Sequence, residues 1–355
     1  MTSPRIRVLI VDDSAFARKV IREVLSRDPE IDVIGIARDG LDALEKIATL
    51  KPDVVTLDLV MPDLDGIGVL RALPLEARPS IVVVSVTGAN TDLAFLALEL
   101  GAVDVVTKPT PLPTDRLYEL SSELVLKVKA AAIAKPRPSI ASPTVSPAVP
   151  LPQLLAKASL LVIGTSTGGP QALSEILKRL PGHLPVPIAI ALHIPGGYTA
   201  PLAARISNLG GVMVEEATDG MELVKGRAVI APGGMHLRIT SRGGRFFARV
   251  SFEPADTLYH PSVDLLFESA AESARDGAIG VVLTGMGNDG MLGSKAIRTV
   301  GGRVLAEAAS SCVVYGMPRS VIEAGLANAQ APLEKMAELI VDSIYVGLSN
   351  MNVSL

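Results

Sequence analysis

Short, continuously apolar runs alternate with amphipathic stretches along most of the chain. In the first third, the runs Val8 to Val11, Val33 to Ala37, Val54 to Leu57, Ile81 to Val84 and Val103 to Thr107 are each followed by a stretch with helical spacing. Those stretches are Ala15 to Ser26, Leu41 to Leu50, Ile67 to Leu73, Thr91 to Leu100 and Thr114 to Ile133. Strands that are apolar on both faces belong in a parallel sheet covered by helices on two sides. The pattern stops between Lys135 and Pro152, where Pro136, Pro138, Pro143, Pro147, Pro150 and Pro152 are mixed with Ser, Ala and Thr. Proline at that density neither continues a helix nor joins a sheet interior, so this stretch is read as a semi-extended tether. Alternation resumes at Leu160 to Ile163, Ile188 to Leu192, Val212 to Val214, Ala228 to Ala231, Ile279 to Leu283 and Arg303 to Ala306. Val263 to Ala274, Met291 to Val300 and Leu333 to Tyr345 have helical spacing, and Arg242-Gly243-Gly244 between two β-rich runs signals an antiparallel hairpin. The predicted organisation is a doubly wound parallel domain at residues 1–133, a proline-rich linker at 134–156, and a second doubly wound, mostly parallel α/β domain with one hairpin at 157–348.

Composition narrows the function classes. With 48% hydrophobic residues, 20% charged residues and a net charge of −4 across 355 residues, nothing draws the chain toward nucleic acid or an anionic membrane surface. A single cysteine, Cys312, excludes an internal disulfide framework, and no Cys/His cluster has zinc-ligand spacing. The N-terminus runs straight into an apolar segment backed by carboxylates, unlike a signal peptide, and no apolar run reaches membrane-spanning length. The expectation is a cytoplasmic, monomeric globular protein without membrane insertion or nucleic-acid binding.

In parallel sheets, ligands collect at the carboxyl ends of the strands. There the first domain places Asp12 and Asp13 after the first strand, Asp58 after the third, Ser85 or Thr87 after the fourth, and Lys108-Pro109 after the fifth. Each has a structural reading by itself, as a helix cap or a turn. Together, three carboxylates repel one another unless a cation sits among them, and an all-oxygen set suits Mg2+. A carboxylate left reachable beside the metal is suited to accept a phosphoryl group. The pattern Val-Asp-Asp-Ser, Leu-Asp-Leu-Val-Met-Pro-Asp-Leu-Asp-Gly and Val-Thr-Lys-Pro closely resembles the receiver domain of response regulators, whose sheet is flavodoxin-like. The resemblance implies that Asp58 is the phosphoacceptor and that Asp12, Asp13, Asp58 and the backbone of Val60 hold Mg2+. It further implies that Lys108 contacts the phosphoryl group. Ser85 is the preferred switch hydroxyl, while a shorter following loop than the family pattern keeps Thr87 open.

In the second domain, Gly164-Thr165-Ser166-Thr167-Gly168-Gly169-Pro170 joins an apolar strand to a helical stretch. Such a Gly-x-Ser-x-Gly turn fits an exposed serine nucleophile, a phosphate cradle or a plain strand-to-helix turn. No Gly-Lys-Ser/Thr and no ribose-binding acid follows, which weakens the phosphate reading. A serine nucleophile needs a base. Of the four histidines, His183 lies in a Pro/Gly loop and His236 opens the hairpin, so both are read as surface or turn residues, whereas His193 ends the next strand. Asp289, in the glycine-rich loop Leu283 to Gly290, stands at the same sheet edge as a partner for the imidazole, or else caps the following helix. The order Ser, His, Asp differs from that of the α/β-hydrolases.

The segments Gly164 to Pro170, His193-Ile194-Pro195, Ile230 to Leu237, His260-Pro261-Ser262-Val263-Asp264, Leu283 to Gly290 and Val313 to Arg319 together resemble the chemotaxis protein-glutamate methylesterases. The resemblance spans nearly the whole chain. It implies a phosphorylation-activated response regulator that hydrolyses glutamate methyl esters on chemoreceptors and deamidates receptor glutamines, with a chemotaxis histidine kinase as phosphodonor. It assigns Ser166, His193 and Asp289 to catalysis, with Thr167 and the backbone of Met286 placing the base or stabilising the oxyanion, and no cofactor for the ester step. In the family the unphosphorylated receiver covers the catalytic cleft. Leu192 and Ile194 stand where the family often has Gln and Met, and Ala308 and Ala309 stand where an acidic pair is expected. Two other readings are a phosphorylation-gated scaffold and a hydrolase acting on a receptor-like protein outside motility control.

Overall fold

A computed structural model of the chain describes residues 4–74, 78–86, 91–108, 114–134 and 157–345, with side chains in the fourth segment from residue 122 onward. Residues 135–156 of the predicted linker, and Thr87, lie outside the described residues. The chain divides into two compact units, 1–141 and 142–355.

The first unit runs β1 (Ile6–Val11), α1 (Ala15–Ser26), β2 (Ile31–Ala37), α2 (Gly40–Leu50), β3 (Val54–Leu57), α3 (Gly66–Ala72), β4 (Ser80–Ser85), α4 (Thr91–Glu99), β5 (Asp104–Thr107) and α5 (Thr114–Ile133). Its strands pair in parallel in the order β2-β1-β3-β4-β5. Val8 to Val11, Val54 to Leu57 and Ile81 to Val84 are all buried, as a sheet covered on both faces requires. Helix starts follow local chemistry: Ser14, Asp39 and Asp65 accept from the N–H groups of Ala17, Asp42 and Gly68. The order reverses direction at β1 and β3, so the crevice between their carboxyl ends is the natural ligand position. Lys127 of α5 is buried, yet its ammonium bonds Asp104, Glu123 and the Val105 carbonyl, and these partners outweigh burial to raise its pKa.

The second unit continues with β6 (Leu160–Thr165), α6 (Gly169–Leu177), β7 (Ile188–Leu192), α7 (Thr199–Asn208), β8 (Met213–Glu216), β9 (Glu222–Leu223), β10 (Arg227–Ile230), β11 (His236–Arg242) and β12 (Arg245–Ser251). It closes with α8 (Val263–Ala274), β13 (Ala278–Val282), α9 (Met291–Thr299), β14 (Arg303–Glu307), α10 (Met317–Glu323), β15 (Ala329–Ala331) and α11 (Leu333–Tyr345). Seven strands form a parallel sheet in the order β15-β14-β13-β6-β7-β10-β8. The chain winds outward from β6 through β7 on one side and later through β13 on the other. The switch in winding direction therefore lies at β6, between its two neighbours.

Two details differ from the sequence-based expectation. The antiparallel element has three strands, because β9 adds to the β11-β12 hairpin through Phe246 and Phe247. His236 is buried: it begins β11, accepts at Nδ1 from the Ser262 N–H, and meets Thr257 and the Pro254 carbonyl at Nε2. His183 is exposed. Among the described residues, no helix is long and apolar enough to cross a membrane.

The fit of β6 against α8 is tight where the serine turn begins. A Cβ on Gly164 would come within 2.1 Å of Val263 Cγ1. Gly164→Ala is expected to cost about 1–3 kcal/mol through this overlap, seen as a lower urea midpoint for the catalytic unit.

Candidate active site and acidic cluster

Ser166 directly follows β6, His193 directly follows β7, and Asp289 lies in the loop after β13, on the far side of β6. Parallel pairing of Thr165 with Leu192 brings the ends of β6 and β7 level, and the His193 N–H donates to the Thr165 carbonyl at 3.1 Å. All three side chains are buried, with Ser166 keeping 7% of its surface exposed. His193 Nε2 lies 2.8 Å from Asp289 Oδ2, and the other ring nitrogen, Nδ1, is buried without a hydrogen-bond partner.

The serine turn is tied to the β13 loop by Thr284. Its carbonyl accepts from the Ser166 N–H at 3.1 Å and the Thr165 hydroxyl at 2.8 Å, while its own hydroxyl donates to the Thr167 carbonyl at 3.0 Å. Thr284 is held in turn by the carboxylate of buried Glu307, which accepts from its N–H. Gly285 packs so closely that a Cβ there would stand 2.8 Å from Ser166 Cβ. The Gly285 N–H donates to the Val314 carbonyl and its carbonyl accepts from Gly316 and Met317, which fixes the loop just before Met286. Thr167 is buried beside this loop.

Asp289 owes its position to helix ends. Its carboxylate accepts from the N–H groups of Val263 (2.7 Å) and Asp264 (2.9 Å) at the start of α8, and from the Ser262 hydroxyl. Asp264 reciprocates: its Oδ1 accepts from Gly290 (2.9 Å) and Gly293 (2.7 Å) at the start of α9, where the cap residue Gly290 has no side chain to serve. Each aspartate thus caps the helix of the other, placing negative charge at positive helix ends. Asp289 caps α8 more fully than the helix that follows it in sequence, to which it contributes one bond, from the Gly290 N–H.

These environments drive the two carboxyls apart. Burial opposes the charge of Asp289, but the bond to His193, the imidazole charge and the Val263 and Asp264 N–H groups outweigh it and lower its pKa. Asp264 is pushed up to about 6, by burial first and by the charge of Asp289 as well. A carboxyl whose folded pKa exceeds its unfolded value holds a proton that the unfolded chain releases, so its contribution to stability declines as pH rises through the interval from the usual 3.8 to about 6. Asp264→Asn is accordingly expected to gain stability relative to wild type as pH increases across that window and to hold a constant difference above it. Melting temperatures of both proteins at stepped pH measure this.

Tyr259, in the loop before α8, is absent from the sequence-based set. Its ring stacks on His193 with centroids 4.1 Å apart and planes 6° from parallel. Leu192 and Ile194 are both buried apolar residues, and Leu192 packs where a Cβ on Gly169 would meet its Cδ1 at 2.5 Å. This neighbour of the base therefore fills the start of α6. Ala308 is tied to β15 by its N–H to the Ala331 carbonyl, and Ala309 is exposed.

In the first unit, Asp12, Asp13 and Asp58 each offer an oxygen within 4.8 Å of the others. Lys108 Nζ reaches Asp58 Oδ2 at 2.7 Å, Asp12 Oδ1 at 3.0 Å and Asp13 Oδ1 at 3.7 Å. Burial works against the ammonium, yet its bonds to Asp58 and Asp12 raise its pKa, while burial chiefly raises that of Asp12. The Val60 N–H donates to Asp58 Oδ1 at 3.3 Å, placing that peptide beside the cluster. Ser85 ends β4, fully buried, and its hydroxyl turns to the Val86 carbonyl at 3.5 Å.

A family model described as CheB methylesterase matches residues 161–340, and one described as response regulator receiver domain matches residues 8–119. The chain belongs to the CheB methylesterase family. It is an α/β response regulator whose second unit is an ester hydrolase of the methylesterase class. It is 56% identical over 338 residues to protein-glutamate methylesterase/protein-glutamine glutaminase 5 of Myxococcus xanthus, covering 94% of this chain and 97% of that protein. A protein-glutamate methylesterase/protein-glutamine glutaminase of Thermotoga maritima is 38% identical over 345 residues, covering 97% of this chain and all of the other. The crystal structure of the Thermotoga maritima CheB methylesterase catalytic domain superposes with a TM-score of 0.51 at 39% identity, covering 52% of this chain and 98% of that one.

Proposed function

We propose that this protein hydrolyses methyl esters of glutamate side chains on chemoreceptor cytoplasmic domains, and deamidates receptor glutamines, under control of phosphorylation at Asp58. The observation that carries the reading is the buried His193–Asp289 pair beside Ser166 at the switch point of the large sheet. Ser166 is the nucleophile, His193 the base and Asp289 the carboxylate that orients the imidazole and stabilises its charged form. With Nε2 committed to Asp289, the Ser166 proton passes to Nδ1. The serine oxygen bonds the carbonyl carbon, the protonated imidazole gives its proton to the leaving methoxide or amine, and methanol or ammonia departs. Water, deprotonated by His193, then cleaves the acyl-serine ester to free glutamate and Ser166. The Met286 backbone N–H and Thr167 are assigned to stabilising the developing oxyanion.

For the receiver, Asp12, Asp13, Asp58 and the Val60 backbone would hold Mg2+, which when bound offsets the charge of an incoming phosphoryl group. The buried Asp12 Oδ2, which has no hydrogen-bond partner, fits a metal ligand. Asp58 accepts the phosphoryl group from a chemotaxis histidine kinase, Lys108 holds its oxygens, and Ser85 is the switch hydroxyl. The working domain boundaries are 1–133 and 157–348, joined by 134–156, and the protein acts in the cytoplasm as a monomer. Incubating the full chain with a glutamate-methylated receptor cytoplasmic fragment tests the reading. Methanol should appear in step with free carboxylate; stable binding with no methanol would support a scaffold instead.

A further inference from the structure

We infer that Tyr259 is a positioning residue for the ester reaction, its ring fixing the plane of the His193 imidazole so that the unpartnered Nδ1 is held ready for the serine proton. The inference rests on the reading of Ser166, His193 and Asp289 as the hydrolytic site. Beyond its covalent tether at Cγ, the imidazole is held by the bond at Nε2, which leaves the ring free to rotate about the line joining those two points. Nδ1, buried and without a hydrogen-bond partner, supplies no further anchor. The Tyr259 ring does: planes 6° from parallel at 4.1 Å cover one face of the imidazole and oppose that rotation. The same face attracts the imidazolium formed when Ser166 loses its proton.

Tyr259 is itself well held. Its hydroxyl lies against the β13 loop, where a Cβ on Gly287 would come within 2.8 Å, and Gly287 has φ 84°, a conformation suited to glycine. Burial, and then the charge of Asp289, raise the phenol pKa, so the ring stays neutral beside the carboxylate. Three residues further on, Ser262 donates its hydroxyl to Asp289. One loop therefore fixes both the carboxylate and the plane of the ring it orients. The ring face, rather than the hydroxyl, carries the role, which separates positioning from a hydrogen-bonding part in catalysis.

The experiment measures methanol release from a methylated receptor fragment by the phosphodonor-treated full chain as wild type, Tyr259→Phe and Tyr259→Leu. It is paired with histidine ring NMR of the same proteins. Tyr259→Phe keeps the stack and should hold kcat and KM within about twofold. Tyr259→Leu should lower kcat by roughly tenfold to a hundredfold, the scale of a small misplacement of a reacting group, with KM within about twofold. The His193 ring proton signals should move downfield in the Leu variant alone as the ring current is lost. A Leu variant with wild-type kcat, a Phe variant as impaired as Leu, or a loss confined to KM would overturn the inference. A wild type that releases no methanol would instead sink the esterase reading on which it rests.

Discussion

Ser166→Ala is expected to abolish methanol release from methylated receptor while leaving the protein folded. In the proposed mechanism the Ser166 hydroxyl forms the covalent acyl intermediate. Removing a triad nucleophile costs on the order of 10⁴-fold to 10⁶-fold in kcat, with residual turnover arising from the oxyanion donors and binding. Stability should hardly change. The turn is fixed by backbone and neighbouring groups, namely the Ser166 N–H to the Thr284 carbonyl, the Thr165 hydroxyl to the same carbonyl and the Thr284 hydroxyl to the Thr167 carbonyl. Methanol assayed beside thermal unfolding separates the chemical loss from a folding defect. A Ser166→Ala protein that turned over at even a tenth of the wild-type rate would remove Ser166 from the mechanism.

Asp58→Asn is expected to eliminate the rise in esterase rate on treatment with a small phosphodonor such as acetyl phosphate. An amide cannot accept the phosphoryl group as a carboxylate does, and it also removes one of the negative charges clustered at the ends of β1 and β3. Lys108 loses its 2.7 Å partner but keeps Asp12 at 3.0 Å, so the ammonium stays neutralised and the unit should remain folded. The measurement is the ratio of initial rates with and without phosphodonor, together with phosphate incorporation. Wild type should show both incorporation and acceleration, and the variant neither.

Much of this architecture was legible as pattern. Strands buried on both faces read as unbroken apolar runs, and residues at their carboxyl ends fall where parallel topology gathers ligands. That logic singled out Asp12, Asp13, Asp58 and Lys108, which the fold brings together, and Ser166 with His193, which follow adjacent strands. It was less informative wherever tertiary contact alone decides. Strands β9 and β15 are two and three residues long, too short for any periodicity to register. His236 looked like a turn residue because it opens a hairpin, yet the Ser262 N–H and Thr257 satisfy both its nitrogens in the interior. Taken in isolation, Asp289 reads as a cap for the next helix; its main capping is of α8, earlier in the chain, while Asp264 serves α9. No local spacing encodes that exchange. Tyr259 and Thr284 were missed for the same reason: a tyrosine in an irregular loop and a threonine after a strand acquire meaning only from the imidazole and the serine turn they touch.

The proposed activity is serine-based hydrolysis of methylated receptor, accelerated by phosphorylation at Asp58. The most direct test is the initial rate of methanol release from a glutamate-methylated receptor fragment by the full chain, with and without phosphodonor. Wild type should release methanol and accelerate on phosphodonor treatment, and Ser166→Ala should release essentially none under either condition. Equal rates for wild type and Ser166→Ala, or no release by phosphodonor-treated wild type, would contradict it.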